Sequence, residues 1–337
     1  LPARLPLTMP QSLLGQWGVF FKEQTMKILH LCDNLTGRTI KQCVLETQAG
    51  MDVTVTYNKC GIPKTASKHI DKLYKCGSIP ALFRLVDECD IVVVHTTCTN
   101  YETIRIAEEI DKPVVWNIHD YVPECKPLLN LASAIIVPSV GYHDIIFPHI
   151  ESPMEVIYGK VPTCMWPEWD VVTPRLEGCV CMNGAVAEKP IFRNYNWVNQ
   201  QLEGRFFVLS AVMPSRMSHC MNVLEFQEYE SMLQTMTQFP YGWAGAGNQD
   251  THFDGIVNNK FWEMIAAGCV PICYKAAEML QIAEHYGIGI DYPLIPNSLQ
   301  VYRWKMLKNK EELCGESETP KINKLYRSVL KCKEITQ

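Results

Sequence analysis

A glutamate in the middle of an apolar stretch is the residue of this chain best placed to do chemistry. The run Asp254 to Tyr274, DGIVNNKFWEMIAAGCVPICY, sets Glu263 among Phe261, Trp262, Met264 and Ile265. A carboxylate in such surroundings needs a partner, because an unpaired buried charge is costly. A ligand hydroxyl would serve, and so would a protein N–H; a solvated helix residue is the competing reading. The residues on either side supply a frame. Gly255 frees the backbone, and Asn258 or Asn259 can cap a helix that begins there. Lys260 to Ala267 is rich in helix formers and has no proline. Gly268 stands where a helix must turn left-handed, and Val270 to Tyr274 reads as a buried strand. The amino end of such a helix carries free N–H groups and partial positive charge, which favours a phosphate.

Two further places could contribute. Gly37 and Arg38 sit at the carboxyl end of the first strand, where α/β sheets bind ligands; a plain turn with Arg38 in solvent is the alternative. His119 follows a core strand on the same side of the sheet. Its alternative is a core histidine, with Asp120 as the cap of the next helix.

The elements that must hold these residues read as alternating strands and helices. Met26 to Cys32 is a strand, Arg38 to Ala49 a helix with Ile40, Cys43, Val44 and Thr47 at helical spacing, and Asp52 to Tyr57 a strand. This is a βαβ unit, and so the start of a parallel sheet. No GxGxxG is present, which argues against a dinucleotide cofactor. Lys59 to Lys75 reads as a short strand and loop, Ile79 to Glu88 as a helix, Asp90 to His95 as a buried strand, Tyr101 to Ile110 as a helix and Pro113 to Asn117 as a strand. Leu131 to Ser139 is a strand closing on a helix for which Ser139 is the expected cap. Met154 to Tyr158 ends the first half. Prolines 162, 167 and 174 mark a linker. Beyond it come strands at Glu177 to Met182 and Arg205 to Ala211, and helices at Tyr195 to Glu203 and, for the most part, Asn222 to Gln238. A short strand and glycine-rich turn, Tyr241 to Gly247, leads into the focal run. Glu278 to Gly287 reads as a helix, Gly287 to Ile290 as a strand, and Lys321 to Lys333 as a last helix with Ile322, Leu325, Val329 and Leu330 on its apolar stripe. The expected organisation is an extension over 1–25, poorly ordered; a first Rossmann-like unit over 26–158; a linker over 159–175; a second Rossmann-like unit over 176–320; and the terminal helix over 321–337.

Bulk properties bound the class. The chain has 337 residues, 47% apolar and 20% charged, enough for two units each with its own core. Its formal charge of −5 gives no global basic surface for nucleic acid, although a local basic groove is compatible with it. The 15 cysteines are scattered, without a CxxC pair, and read as mostly buried reduced thiols of a cytoplasmic protein. No metal site is expected. No run reaches the roughly 20 apolar residues of a membrane helix, and the extension leaves room for peripheral membrane contact.

The segment NNKFWEMIAAGCVPI resembles the N-K-L-F-E-Y-x-A-A-G-x-P-V-I signature of nucleotide-sugar-dependent glycosyltransferases, most nearly the retaining family 4 group. The matching positions are Asn259, Lys260, Phe261, Glu263, Ala266, Ala267, Gly268, Pro271 and Ile272. PVVWNIHD resembles that group's P-V-V-x-x-x-H-D segment, LASAIIVPS its A-D-x-x-I-V-P-S strand, and NGAVAEKP the opening of its donor domain. The resemblance implies a GT-B fold, α/β with two Rossmann-like domains facing a cleft, and a terminal helix that crosses back to the first. It implies a nucleotide diphosphate sugar as donor substrate, without a separate cofactor, and a glycan, lipid or small molecule as acceptor. By position, the amides of Gly255, Val257, Asn258 and Asn259 would face the diphosphate. Glu263 would bind the ribose hydroxyls, Lys260 follows the family lysine, and Gly37 would face the cleft. His119 would offer a hydrogen bond to a sugar hydroxyl or stabilise the developing cation. Gly184 opens the donor loop, and Lys189 and Arg193 are the cations nearest it, in place of the family's Gly-Arg-Leu pair. Many members carry a glutamate where Gly255 stands, so Asp254 beside it is the candidate to contact the sugar. Two other readings remain: a catalytically silent sugar-nucleotide-binding protein, and a GT-B relative such as an epimerase or a DNA glucosyltransferase.

Overall fold

The computed structural model describes residues 25–32, 34–57, 64–76, 78–96, 108–119, 129, 131–146, 150–171, 176–183, 195–210, 222–225, 228–245, 255–293 and 298–336. Two parallel sheets organise them. The first runs in the order β3-β2-β1-β4-β5-β6-β7, from β1 (Lys27–Leu31), β2 (Asp52–Tyr57), β3 (Lys72–Lys75), β4 (Ile91–Thr96), β5 (Val114–Ile118), β6 (Ala134–Val137) and β7 (Met154–Val156). The second runs β10-β9-β8-β11-β12-β13, from β8 (Cys179–Asn183), β9 (Phe206–Ser210), β10 (Asn222–Glu225), β11 (Tyr241–Trp243), β12 (Val270–Cys273) and β13 (Ile290–Asp291). The architecture is α/β with two Rossmann-like units, as the alternation of strands and helices leads one to expect.

The helices are α1 (Gly37–Gln48), α2 (Lys64–His69), α3 (Ile79–Glu88), α4 (Val140–Ile146), α5 (Tyr195–Gln201), α6 (Tyr229–Met236), α7 (Asn259–Ala266), α8 (Ala277–Tyr286), α9 (Leu299–Lys308), α10 (Lys310–Leu313) and α11 (Thr319–Thr336). Their ends follow local chemistry. Thr36 caps α1 by accepting from the Thr39 amide at 3.3 Å. Ser139 accepts from the Tyr142 amide at 3.3 Å at the start of α4. Gly268 ends α7 at φ +72°, and a Cβ there would stand 2.6 Å from the Trp169 ring.

The structure departs from the sequence reading in four places. Asn222 to Gln238 is not mostly helix: Asn222–Glu225 is an edge strand paired with β9, and the helix is confined to Tyr229–Met236. Pairing with a neighbouring strand overrides the local preference there. Lys64–His69 is helical, and Lys72–Lys75 pairs with β2 as the outer strand of the first sheet. The strand after α8 lies at Ile290–Asp291, set by its pairing with β12. Helix α9 was not anticipated; it is amphipathic only weakly, with Arg303 and Met306 buried and Val301 and Trp304 exposed. The expected helix at Tyr101 to Ile110 lies, but for its end, outside the described residues.

Burial divides the first sheet into two faces. One carries Ile28, Val55, Ile91, Val93, Val115 and Ile136 beneath α1 and is continuous with the core of the second unit. The other carries Leu29, Leu31, Val92, Val94, Trp116 and Val137 beneath α3 and α4. The terminal helix α11 returns to the first unit, with Ile322, Leu325, Tyr326 and Val329 buried and Tyr326 bonded to α1 residues. The linker docks firmly: the Trp169 indole donates to the Ala266 carbonyl at 2.7 Å at the end of α7. Among the described residues no helix is long and apolar enough to cross a membrane.

Candidate functional site

The site is built where α1 of the first unit meets α7 of the second. Asn258 is the cap of α7, its side chain accepting from the Phe261 amide at 3.0 Å. That leaves Asn259 as the first helical residue, with Glu263 one turn further in, on the same face. Glu263 is buried, with 1% of its side chain exposed. Its Oε1 accepts from the Tyr229 hydroxyl at 3.0 Å and from Lys41 Nζ at 3.3 Å. Its Oε2 is buried with no hydrogen-bond partner among the described residues.

Lys41 reaches this carboxylate from α1 and is just as buried. It also donates to the Gly159 carbonyl at 2.7 Å and to Asn259 Oδ1 at 3.3 Å. Burial pulls its ammonium below the ordinary lysine range, and the Glu263 charge opposes that pull. Burial, then the adjacent Glu263, holds the Tyr229 hydroxyl well above its usual range, so it stays a donor. Arg38 lies one turn before Lys41 on α1 and is buried with it. Lys41 and the Tyr229 hydroxyl therefore meet one carboxylate near the amino end of α7, with Arg38 buried one turn before Lys41.

Glycines let the backbone come close. A Cβ on Gly37 would stand 3.1 Å from the Tyr229 ring and 3.9 Å from Glu263 Oε1. A side chain on Gly141 would overlap the backbone of Gly255, whose carbonyl accepts from Ser139 Oγ at 2.9 Å. Gly255 thus ties the loop before α7 to the start of α4. Val257 is buried, and Lys260 is half-buried on α7. A narrow cavity with room for water centres of about 20 Å3 continues inward, lined by Arg38, Lys41, Gln42, Asn117, Tyr158 and Lys160 among others.

His119 lies half-buried directly after β5. Its Nε2 is 3.0 Å from His95 Nδ1. Burial, then the cations of Arg38 and Lys41, hold this imidazole well below its ordinary range, so it is neutral at neutral pH. Those two cations link it electrostatically to the Glu263 cluster. Of the residues singled out from sequence, Gly37, His119, Gly255, Val257, Asn258, Asn259, Lys260 and Glu263 fall in the described structure. Gly184, Lys189, Arg193 and Asp254 lie outside the described residues.

Lys41 and Tyr229 had no sequence signal. Lys41 is a lysine on an ordinary amphipathic helix, and Tyr229 begins a helix misplaced by the reading of 222–238. His30 and His95, which stand behind His119, could have been suspected. Each falls at or near the carboxyl end of a buried strand, a costly place for an imidazole. Among the described residues no group of His, Cys, Asp and Glu side chains is arranged to hold a metal ion.

No protein-family model matches the chain, and no curated protein matches it by sequence. Solved structures do match its fold. HepE of Anabaena in complex with UDP-glucose aligns over 92% of this chain and 99% of its own, with a TM-score of 0.57 at 13% identity. Sucrose-phosphate synthase of Thermosynechococcus elongatus aligns over 91% of this chain and 100% of its own, with a TM-score of 0.63 at 11% identity. An alpha-glucosyltransferase in complex with UDP-glucose and DNA containing an abasic site aligns over 91% and 95%, with a TM-score of 0.57 at 14% identity. These neighbours are GT-B glycosyltransferases, and the chain has their two-sheet fold.

Proposed function

We propose that this protein transfers a hexosyl group from a nucleotide diphosphate sugar to an acceptor hydroxyl, with retention. The observation that carries the reading is the junction itself. A glutamate one turn inside a capped helix has one carboxylate oxygen without a partner among the described residues, and the buried Lys41 of the opposite unit meets the other. Such a site suits a ligand that is anionic at one end and hydroxylated beside it. The fold neighbours include structures holding UDP-glucose, which makes a uridine donor the first to test.

Two charges develop in the reaction. The anomeric carbon becomes oxocarbenium-like, and the leaving diphosphate gains negative charge. Fixed donors aimed at that diphosphate supply the largest stabilising contribution. In this proposal those are the amides from Gly255 to Asn259, the α7 dipole, and Arg38 and Lys41, with Lys189 or Arg193 as further cations and Lys260 in the family lysine's position. Glu263 takes the ribose hydroxyls, which requires Lys41 to turn from the carboxylate toward the phosphates. His119 is assigned to the transferred sugar and Gly37 to the donor's path; Asp254 and Gly184 are assigned the same two roles from their sequence positions alone. The chemistry assigned here needs no metal, and the cysteine-rich composition suits a cytoplasmic location. Residues 26–158 would present the acceptor and 176–320 the donor. The acceptor is a glycan, lipid or small molecule. DNA is the second reading, because DNA alpha-glucosyltransferase complexes are among the fold neighbours; the formal charge of −5 weighs against it.

The test is a thermal-shift screen of nucleotide diphosphate sugars, followed by an assay for released nucleoside diphosphate. At 100 times its dissociation constant a bound donor adds about 2.7 kcal/mol to stability by mass action. Glu263→Gln should abolish the shift. Failure of every donor to shift the melting temperature would end the proposal.

A further inference from the structure

Behind His119 runs a row of polar side chains that sugar transfer, as described so far, does not use. His95 Nε2 is 2.7 Å from His30 Nδ1, and His30 Nε2 is 2.6 Å from Glu46 Oε2. Glu46 Oε1 accepts from the Tyr326 hydroxyl at 2.6 Å and from Gln42 Nε2 at 2.8 Å. His30, His95 and Glu46 are buried, with His30 and Glu46 fully so. The row follows from strand register. His30 pairs with Val93 and His95 pairs with Asn117 across neighbouring parallel strands. Side chains two apart share a face, so His30, His95 and His119 step along one face of β1, β4 and β5. Glu46 meets the row from α1, the helix that covers that face.

The row has a direction. A neutral imidazole has one N–H and one lone pair, so a line of ring-to-ring contacts must run head to tail. Glu46 fixes the sense, since as a carboxylate it can only accept and the Tyr326 and Gln42 donors hold it in place. His30 then carries its proton on Nε2 and accepts at Nδ1. His95 donates from Nε2 and accepts at Nδ1, and His119 donates from Nε2. The remaining nitrogen, His119 Nδ1, has no partner among the described residues.

We propose that Glu46, acting through His30 and His95, is a positioning residue that holds His119 as the Nε2–H tautomer, so that its Nδ1 lone pair accepts a hydrogen bond from a hydroxyl of the bound sugar. This rests on the glycosyltransferase reading for the identity of the hydroxyl; the tautomer chain itself does not. Burial pulls both His95 and His119 below the ordinary imidazole range, which keeps the rings neutral and the head-to-tail order intact. The carboxylate is separated from the sugar by the three rings of His30, His95 and His119, so its negative charge stays remote while its orienting effect is transmitted.

Long-range 1H–15N correlation spectra of the full chain labelled at histidine read each ring's tautomer directly, with signals assigned by single His→Gln variants. In the unmodified protein, the rings of His30, His95 and His119 should all show a protonated Nε2 and a bare Nδ1. A protonated Nδ1 at His119 would overturn the proposal, and this measurement needs no variant to fold. In Glu46→Gln the new amide can donate to His30 Nε2, so the row can reverse and His119 Nδ1 gains a proton. The expected turnover loss is roughly 10- to 100-fold in kcat, with donor KM little changed. His95→Gln should lower kcat similarly and leave His119 a tautomer mixture. Unchanged His119 shifts and kcat in both variants would sink the positioning role and leave the row a packing feature. Lack of turnover by the unmodified protein on every donor would instead overturn the transferase reading and the sugar hydroxyl with it, while the ring spectrum would still decide the chain.

Discussion

The two faces of the first sheet are made by the same strands yet follow opposite rules. Under α3 and α4 the central strands β1, β4 and β5 bury the apolar side chains of Leu29, Leu31, Val92, Val94, Trp116 and Ile118. Under α1 the same strands carry His30, His95 and Asn117 among the apolar residues, all buried. Apolar burial alone would hold both faces, at about 25 cal/mol per Å2. A polar row in the same position must recover its lost hydration through hydrogen bonds, bond by bond. The α1 face does so by chaining its groups from Asn117 and His119 to Glu46 and Tyr326. The helix that covers that face, α1, also sends Lys41 to Glu263 of the second unit, so the polar residues adjoin the candidate site. The first face contributes apolar burial, and the α1 face adds the polar groups that the proposed chemistry would use.

The contrast can be broken most severely from the apolar side. Trp116→Ala should cost roughly 3–5 kcal/mol in denaturant unfolding, as expected for a buried aromatic, and should lower donor affinity only in proportion to lost folded protein. A loss in binding with little loss in stability would reverse the assignment of the two faces. Of similar size is Lys41→Met, which leaves Glu263 buried without its counterion and should cost about 3–5 kcal/mol. Pairing it with Glu263→Gln should recover much of that loss; strict additivity would mean the two groups do not interact.

A smaller effect comes with pH. Burial leads the causes that lower His95 and His119, followed for His95 by His30, His119 and Arg38, and for His119 by Arg38 and Lys41. The groups facing these rings are therefore His30 and, through it, Glu46, together with Arg38 and Lys41. In the unfolded chain both imidazoles titrate near 6.5, so below that pH the unfolded state binds more protons than the folded state. Stability is complete above about pH 6.5 and falls as pH drops through it, by up to about 1.4 kcal/mol per pH unit for each ring. Denaturant titrations between pH 7.5 and 5.0 should show that slope, and His95→Phe should reduce it; equal slopes would mean the rings charge freely in the folded state. The least effect belongs to the outer strands. Lys72 and Asp52 form a solvent-exposed pair at 2.6 Å, and Lys72→Ala should change stability by no more than about 1 kcal/mol. A larger loss would mean that surface charge, rather than the two faces, governs the sheet.

Much of this molecule was legible in its sequence because the signals are local. Strands such as Ile91 to His95 are recognisable from continuous β-branched runs, α7 from its asparagine cap and glycine stop, and Ser139 from its place at a strand–helix junction. One edge strand was not legible: Asn222 to Glu225 carries no period of its own and becomes a strand only by pairing with β9. The run around Glu263 marked the loop, helix and strand that frame the candidate site and the need of that carboxylate for a partner. It could not say that the partner would be Lys41, 222 residues away in sequence.

What the sequence determined by itself was the alternation of strands and helices, and one helix whose amino end and buried carboxylate ask for a ligand. Turn preferences, caps and apolar runs act between neighbours along the chain, so they can be read there. Tertiary structure alone decided which groups meet. Strand register placed three histidines on one face, packing of α1 over that face supplied Glu46, and the approach of the two units set Lys41 against Glu263. Those contacts join residues far apart in sequence, and side chains at ordinary positions acquire their roles only when burial removes water and leaves each polar group to the partners that packing brings.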